Sequence, residues 1–440
     1  MKFVDLYAGL GGFHVGLAQG GNECVYASEI NTELNEIYQK NFGIKPNEDI
    51  TKVNPEEIPN HDILCAGFPC QPFSKAGKQL GLECSENGKH IFKILEIAKI
   101  KKPKVILLEN VPHMLQHNGG KTFGKIRKEF RFIGYDLSYQ ILSPNDFGIP
   151  HLRQRLFILL STNPLDFFEW PKKENKPTHI KSILGKEKSE KISKNLEFAL
   201  EKWQEFTFNY KRHKNSWNKL GFPIWAMEFG ATYPYVFHTP WNVEKTKLSK
   251  TKGLLGLSMI DCKDWNDFKN KLPAYAIEEK KIFPEWKIRF ISNNRLLYNN
   301  HNFWIKPWMK WLHDFDATLQ KFEPNFDINN TTIWDNIIQS RSSGLRVKRP
   351  DCAPSLVSIG TTSPIIGWEK RYMTKLECFN LQSLGHLKFK PTNSKTSWSH
   401  AIGNAVSAKI TNKITKKILD FSSKKIKIIK DNSYLIREIA

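Results

Sequence analysis

The sequence predicts an α/β fold: a doubly wound, mostly parallel sheet with a second, smaller domain. Three observations lead there. Short apolar runs alternate with helical patterns over roughly the first 165 residues, as in strands joined by crossover helices. All 13 tryptophans fall at or after Trp170, so the composition changes there. The tail "SAKITNKITKKILDF" then restores a clear helical stripe of Ile410, Ile414 and Ile418.

Taken in order, "KFVDLYA", "ECVYASE", "HDILCAG" and "KPKVILLEN" read as strands, each ending in polar or small residues. A further strand is expected before "EDI", Glu48 to Ile50. The helical run "HIFKILEIAKIKK" sets Ile91, Ile94, Leu95 and Ala98 on one face. The stretch "NPLDFFEWPKKENKP" has the turn and linker chemistry of a boundary. From Trp170 to about Ser340, aromatic residues interleave with lysines and no regular pattern emerges. Most of the tryptophans there are expected in a core.

The 440 residues leave room for two or three domains. No apolar run approaches the length of a transmembrane helix, so no membrane partner is expected. The start "MKFVDLYAGLGGF" carries Asp5 and does not read as a secretory signal. Seven cysteines without paired spacing argue for reduced thiols and a cytoplasmic protein; with no CxxC pair, no metal is expected. The charge is more telling. With 66 Lys+Arg against 44 Asp+Glu, the chain carries +22, which suits a polyanion. A codon bias toward Lys, Asn and Ile contributes to the same surplus.

Five stretches carry chemistry. In "DLYAGLGGF", Gly9, Gly11 and Gly12 let the backbone turn sharply and approach a ligand, although a plain strand-to-helix turn reads the same way. The second strand ends at Glu29, 24 residues after Asp5, where a carboxylate can hold ribose hydroxyls. The glycines do not complete G-x-G-x-x-G, which favours a nucleoside cofactor other than a nicotinamide. Asp49 is placed to meet an adenine amino group. In "GFPCQPFS", Pro69 and Pro72 stiffen an extended loop around Cys70, which suits a nucleophile and also a tight turn holding an inert thiol. Cys70 follows one strand and Glu109, in "LLENV", ends the next. A thiolate adding to C6 of a cytosine makes C5 nucleophilic, and a carboxyl at N3 absorbs the developing charge.

Six blocks, "DLYAGLGGF", "GFPCQPFS", "LLENV", "RQRLFIL", "RPDCAPSLV" and "GNAVS", stand in the order found in the DNA cytosine-5 methyltransferases, which the chain resembles. They cover residues 1–160 and 340–420. The resemblance implies a Rossmann-like methyltransferase sheet and S-adenosyl-L-methionine as cofactor. It makes Cys70 the nucleophile, Glu109 the partner of N3 and the amino group, Arg155 the contact to O2, and Arg153 a support. Phe13, Glu29, Ile30, Asp49 and Pro69 fall at cofactor positions, with Gly9 and Gly11 in the turn. Asn404 and Val406 complete the pocket. Two stretches depart from the pattern: "HLRQR", His151 to Arg155, and "NGKHIF", Asn87 to Phe92, where Arg-Gly-x-Leu-Phe is common.

The implied organisation is a catalytic domain over 1–165, completed by a C-terminal helix over 397–425, with target recognition and hinge over 166–396. A loop over 71–88, with Gly77 and Gly81, closes over a flipped cytosine. The implied partner is double-stranded DNA, bound by a monomer of the restriction-modification type. A cognate restriction endonuclease acting on the same site, without a stable complex, fits that type. An RNA (tRNA) cytosine-5 methyltransferase and a catalytically silent DNA-binding relative remain the alternatives. The other cysteines are expected to be structural.

Overall fold

The computed structural model describes residues 1–69, 88–213, 221–356, 363–390 and 397–438. Cys70 and the loop expected after it, up to residue 87, lie outside the described residues. The chain divides into two compact units. The first comprises Met1–Glu187, Asp351–Thr361 and Thr374–Ala440; the second comprises Lys188–Pro350 and Thr362–Met373.

The first unit alternates strand and helix: β1 (Lys2–Leu6), α1 (Gly12–Ala18), β2 (Glu23–Ser28), α2 (Thr32–Phe42), β3 (Ile63–Ala66), α3 (Gly88–Lys101), β4 (Val105–Asn110), α4 (Lys121–Phe132), β5 (Asp136–Leu142) and β6 (Arg155–Ser161). The strands lie in the order β2-β1-β3-β4-β6-β5. Neighbours are parallel from β2 to β4, and β6 runs antiparallel to both β4 and β5. Every residue of β3 and β4 is buried, as a sheet covered on both faces requires. Ile91, Ile94, Ile97 and Ala98 of α3 pack on one face with Ile126 and Phe130 of α4. Phe13 and Leu17 of α1 cover the other, together with Ile410, Ile414 and Ile418. The expected stripe of α3 therefore holds, except that Ile97 takes the deep position and Leu95 is only partly buried.

Three expectations need correction. No strand precedes Asp49: Asn47 makes an isolated parallel bridge to Ser28. Pro46, just before it, has no N–H to extend a ladder. The C-terminal helix from 397 is two helices, Trp398–Asn404 and Ala408–Glu438. The Arg153 guanidinium donates to the Gly403 and Ala405 carbonyls at 2.7 and 3.4 Å, and Gln382 Nε2 reaches Ala405 at 3.0 Å. Side-chain donors thus satisfy carbonyls at the break. The unit boundary falls at Glu187/Lys188 instead of 165/166, and the chain returns at Asp351–Thr361 and again from Thr374 instead of 397. Leu165, Phe168 and Trp170 pack with Ile410, Ile414 and Phe421, and the Gly185 N–H donates to the buried Glu377 carboxylate at 3.0 Å.

The second unit supplies the order that the aromatic-rich stretch concealed. Its strands are β7 (Ile224–Trp225), β8 (Lys321–Asn325), β9 (Ile337–Arg341), β10 (Gly344–Lys348), β11 (Ile365–Ile366) and β12 (Arg371–Tyr372), in the order β12-β11-β9-β10-β8-β7. Helices Lys194–His213 and Glu285–Trp308 bring Trp203, Phe206, Trp304 and Trp308 onto Phe322, Leu345 and Val347. Trp203 and Trp308 each donate their indole N–H to a backbone carbonyl at 2.9 Å. That is what lets a polar aromatic sit in a core. Among the described residues, no helix is long and apolar enough to cross a membrane.

Candidate active site

The site grows from the carboxyl ends of β1, β2, β3 and β4. Past β1 the chain turns through Tyr7, Gly9 and Gly11, all at positive φ (56°, 54° and 78°). Gly11 could not carry a side chain, because a Cβ would stand 2.4 Å from the Phe42 ring. A Cβ on Gly12 would lie 2.2 Å from the Val406 carbonyl oxygen. Beside Gly9, by contrast, a Cβ would meet only the Tyr7 carbonyl oxygen, at 4.0 Å, among the described residues.

Glu29, just past β2, braces this turn. It accepts the Gly9 N–H at 2.8 Å through Oε2 and the Asn31 N–H at 2.9 Å through Oε1. Burial raises its carboxyl above the usual range, and those N–H groups pull it partly back. Ile30 beside it is 69% exposed. Asp49 is tied up locally, accepting from the Thr51 N–H at 3.1 Å and hydroxyl at 2.7 Å. The Thr51 hydroxyl is the main reason its carboxyl is lowered.

Gly67, just past β3, is where the predicted groups meet. A Cβ there would lie 3.3 Å from Val406 Cγ2, 3.7 Å from the Phe13 ring and 3.8 Å from Glu109 Oε2. Residues from four distant parts of the sequence converge three positions before Cys70, with the half-buried Pro69 between. Glu109 is buried, and its Oε1 pairs with Arg155 Nε at 3.0 Å. That contact follows from β6 running beside β4. Burial raises the Glu109 carboxyl, and the Arg155 and Arg153 charges oppose the rise.

Arg153 faces elsewhere. It is buried and donates to the Leu356 carbonyl at 3.1 Å and the Ser355 hydroxyl at 3.4 Å, besides Gly403 and Ala405. One guanidinium thus holds two returning segments, including the one that carries Val406. Asn404 is exposed, with its amide 3.5 Å from His400 Nε2; the contacts around Gly67 do not include it.

Sequence reasoning missed two neighbours. Tyr7 and His90 meet at 3.1 Å between the phenol oxygen and Nδ1, their rings edge to face at 5.3 Å. Burial raises the Tyr7 phenol and lowers His90, and the charge of Asp49 reaches both. The signal was present: His90 stands in "NGKHIF", where the chain departs from the common pattern. Asn110 also matters, since its amide donates to the Phe68 carbonyl at 3.3 Å and ties β4 to the segment leading to Cys70.

A family model described as C-5 cytosine-specific DNA methylase matches residues 1–420. The chain belongs to that family. Among curated proteins, it is 43% identical over 186 residues to the type II methyltransferase M.HhaI of Haemophilus parahaemolyticus, covering 42% of this chain and 57% of that one. It is 30% identical over 298 residues to the type II methyltransferase M.DsaV of Dactylococcopsis salina, covering 63% of this chain and 84% of that one. The chain thus spans little more than half the length of the first of these relatives. The solved structure of the Entamoeba histolytica methyltransferase EhMeth matches with a TM-score of 0.50 at 15% identity, covering 96% of this chain and 98% of that one. At that identity the match speaks for the fold alone.

Proposed function

We propose that this C-5 methylase is a site-specific DNA cytosine-5 methyltransferase using S-adenosyl-L-methionine. The observation that carries the reading is the convergence of Glu109, Phe13 and Val406 on Gly67, with Arg155 paired to Glu109. The cofactor fits the other end of the site. Gly9 is uncrowded among the described residues, Glu29 keeps lone pairs for ribose hydroxyls, and Phe13 offers an apolar ring. When bound, the cofactor supplies the methyl group.

The residues divide the work. The Cys70 thiolate adds to C6 of the flipped cytosine. Glu109, kept protonated to higher pH by burial, hydrogen-bonds N3 and shares its proton there as charge develops. Arg155 holds Glu109 in place and offers its remaining N–H groups to O2. Arg153 is a positioning residue, holding the Val406 segment. Once C5 has taken the methyl group, it loses its proton to a base, the C5–C6 double bond re-forms and the thiolate leaves. The second unit, Lys188–Pro350 with Thr362–Met373, serves target recognition. The names of the relatives point to a restriction-modification setting, in which an endonuclease cuts the same site.

The test is transfer of a labelled methyl group to duplex DNA beside a tRNA pool at physiological salt. Label in DNA at one sequence context is expected. Label in tRNA alone would make the chain an RNA methyltransferase, and label in neither would make it a silent binder.

Glu29→Ala is expected to weaken S-adenosylmethionine binding about tenfold or more, since hydrogen bonds to a charged group contribute roughly 1.5–3 kcal/mol. Calorimetry measures it. Unchanged affinity in a variant with a normal melting profile would remove Glu29 from the cofactor site.

A further inference from the structure

The sheet of the second unit has two unlike faces. Alternation along the strands puts Ile224, Phe322, Leu345, Val347 and Ile338 on the face packed against the helices. The intervening residues point the other way and form rows. Trp225 pairs with Lys321, and Arg341 pairs with Gly344. Gly344 closes this row, because a Cβ there would stand 2.5 Å from Lys321 Cβ. In the next row Arg346 lies between Glu323 and Gln339. Besides the buried Ile337 and Gln339, this face of β8, β9 and β10 therefore carries Lys321, Arg341, Arg346 and Lys348 against one carboxylate, Glu323.

That carboxylate has an unusual load. Its Oε2 accepts Arg341 Nη2 at 2.7 Å and Arg346 Nε at 2.8 Å, while Asn325 donates to Oε1 at 2.9 Å. Two guanidiniums on one acid leave a net positive charge, and such pairs add little to stability. Their use lies in geometry. Each guanidinium has five N–H donors in a rigid plane and spends only one on Glu323. Both arginine side chains stay partly open, at 22% and 31% exposure. They sit on a hairpin whose turn, Ser342–Ser343, is exposed. β9 and β10 are flanked by β11 and β8, so it is the turn end of the pair that can enter the major groove of DNA, where a planar arginine fork matches O6 and N7 of guanine.

We propose that the β9–β10 hairpin reads guanine in the major groove of duplex DNA through Arg341 and Arg346, with Glu323 aligning both. The occupant follows from charge: a face with four cations and one anion suits a polyanion whose bases present acceptors. This rests on the reading of the chain as a DNA methyltransferase. Both arginines fall within the 166–396 stretch that the sequence assigns to target recognition and hinge.

The test compares wild type with Arg341→Ala, Arg346→Ala and Arg346→Lys. Bisulfite sequencing of a random duplex library gives the methylated site. Anisotropy then measures binding to that duplex and to its 7-deazaguanine counterpart, which lacks N7. Each alanine variant is expected to lose about tenfold or more in discrimination at one guanine. Its non-specific binding should survive with the salt slope nearly unchanged, since a phosphate contact, not a base contact, sets that slope. Arg346→Lys keeps the charge but loses the fork, so it should bind and discriminate poorly, which separates readout from misfolding. The 7-deaza duplex should weaken wild type more than the variants. DNA-active arginine variants with the wild-type site would overturn the hairpin assignment alone. A wild type that methylates only tRNA would overturn the reading beneath it as well.

Discussion

Cys70→Ala is expected to abolish methyl transfer while DNA and cofactor binding persist. The thiol forms a bond only during the chemistry, so its removal takes away transition-state stabilisation and leaves ground-state contacts intact. Loss of a covalent nucleophile commonly lowers turnover by on the order of 10⁴-fold or more. Among the described residues, the thiols of β2 and β3 do not replace it. Cys65, on β3, is fully buried, and burial drives its thiol well above the usual range. Cys24 is likewise pushed up to about 12. Neither can supply a thiolate near neutral pH. Duplex DNA containing 5-fluorocytosine, whose C5 fluorine cannot leave as a proton does, should trap wild type covalently and leave the alanine variant free. Normal turnover by Cys70→Ala would overturn the mechanism.

The first unit was largely readable because its strands are short apolar runs and its helices carry clear stripes. Ile410, Ile414 and Ile418 landed together in the core, as their spacing requires. The misses have local causes. Side-chain donors from Arg153 and Gln382 satisfy the carbonyls at 403–405 and break what periodicity treats as one helix. The boundary at 165 failed because Leu165, Phe168 and Trp170 belong to the core of the first unit. In the second unit the strands run two to five residues, too short for a clear alternation, while tryptophans blur the helical stripes. No local pattern could separate these elements, since their order lies in contacts distant in sequence.

The site was readable at its strand ends. Glu29 and Glu109 sit where parallel strands deliver side chains to a common edge. The division of labour between the two arginines was not readable from spacing. They are two residues apart, yet one pairs with Glu109 and the other binds four groups on returning segments. Burial decides this, because only Arg153 lies fully inside. The Tyr7–His90 contact likewise joins residues 83 apart.

Glu109→Gln is expected to cause the second large loss of turnover, with little change in cofactor affinity. Glutamine has nearly the same shape and keeps a hydrogen-bond donor, but it holds no proton to share with N3 as charge develops there. The structure adds a pH signature. Burial raises the Glu109 carboxyl, with Arg155 and Arg153 opposing, so the protonated form persists to higher pH than in an exposed glutamate. Turnover that needs this proton should fall as pH rises through the raised value, and the fall should vanish in Glu109→Gln, which does not titrate. At pH values where Glu109 is ionised, the substitution also removes the negative charge facing Arg155, leaving a half-buried guanidinium beside a neutral amide. Arg155 should then shift, so Glu109→Gln combined with Arg155→Ala should lose less than the product of the single losses. Single-turnover rates across pH, with calorimetry for S-adenosylmethionine, measure all of this. An equal loss of cofactor binding would make Glu109 a structural or cofactor residue, and an unchanged pH limb in the variant would assign that titration to another group.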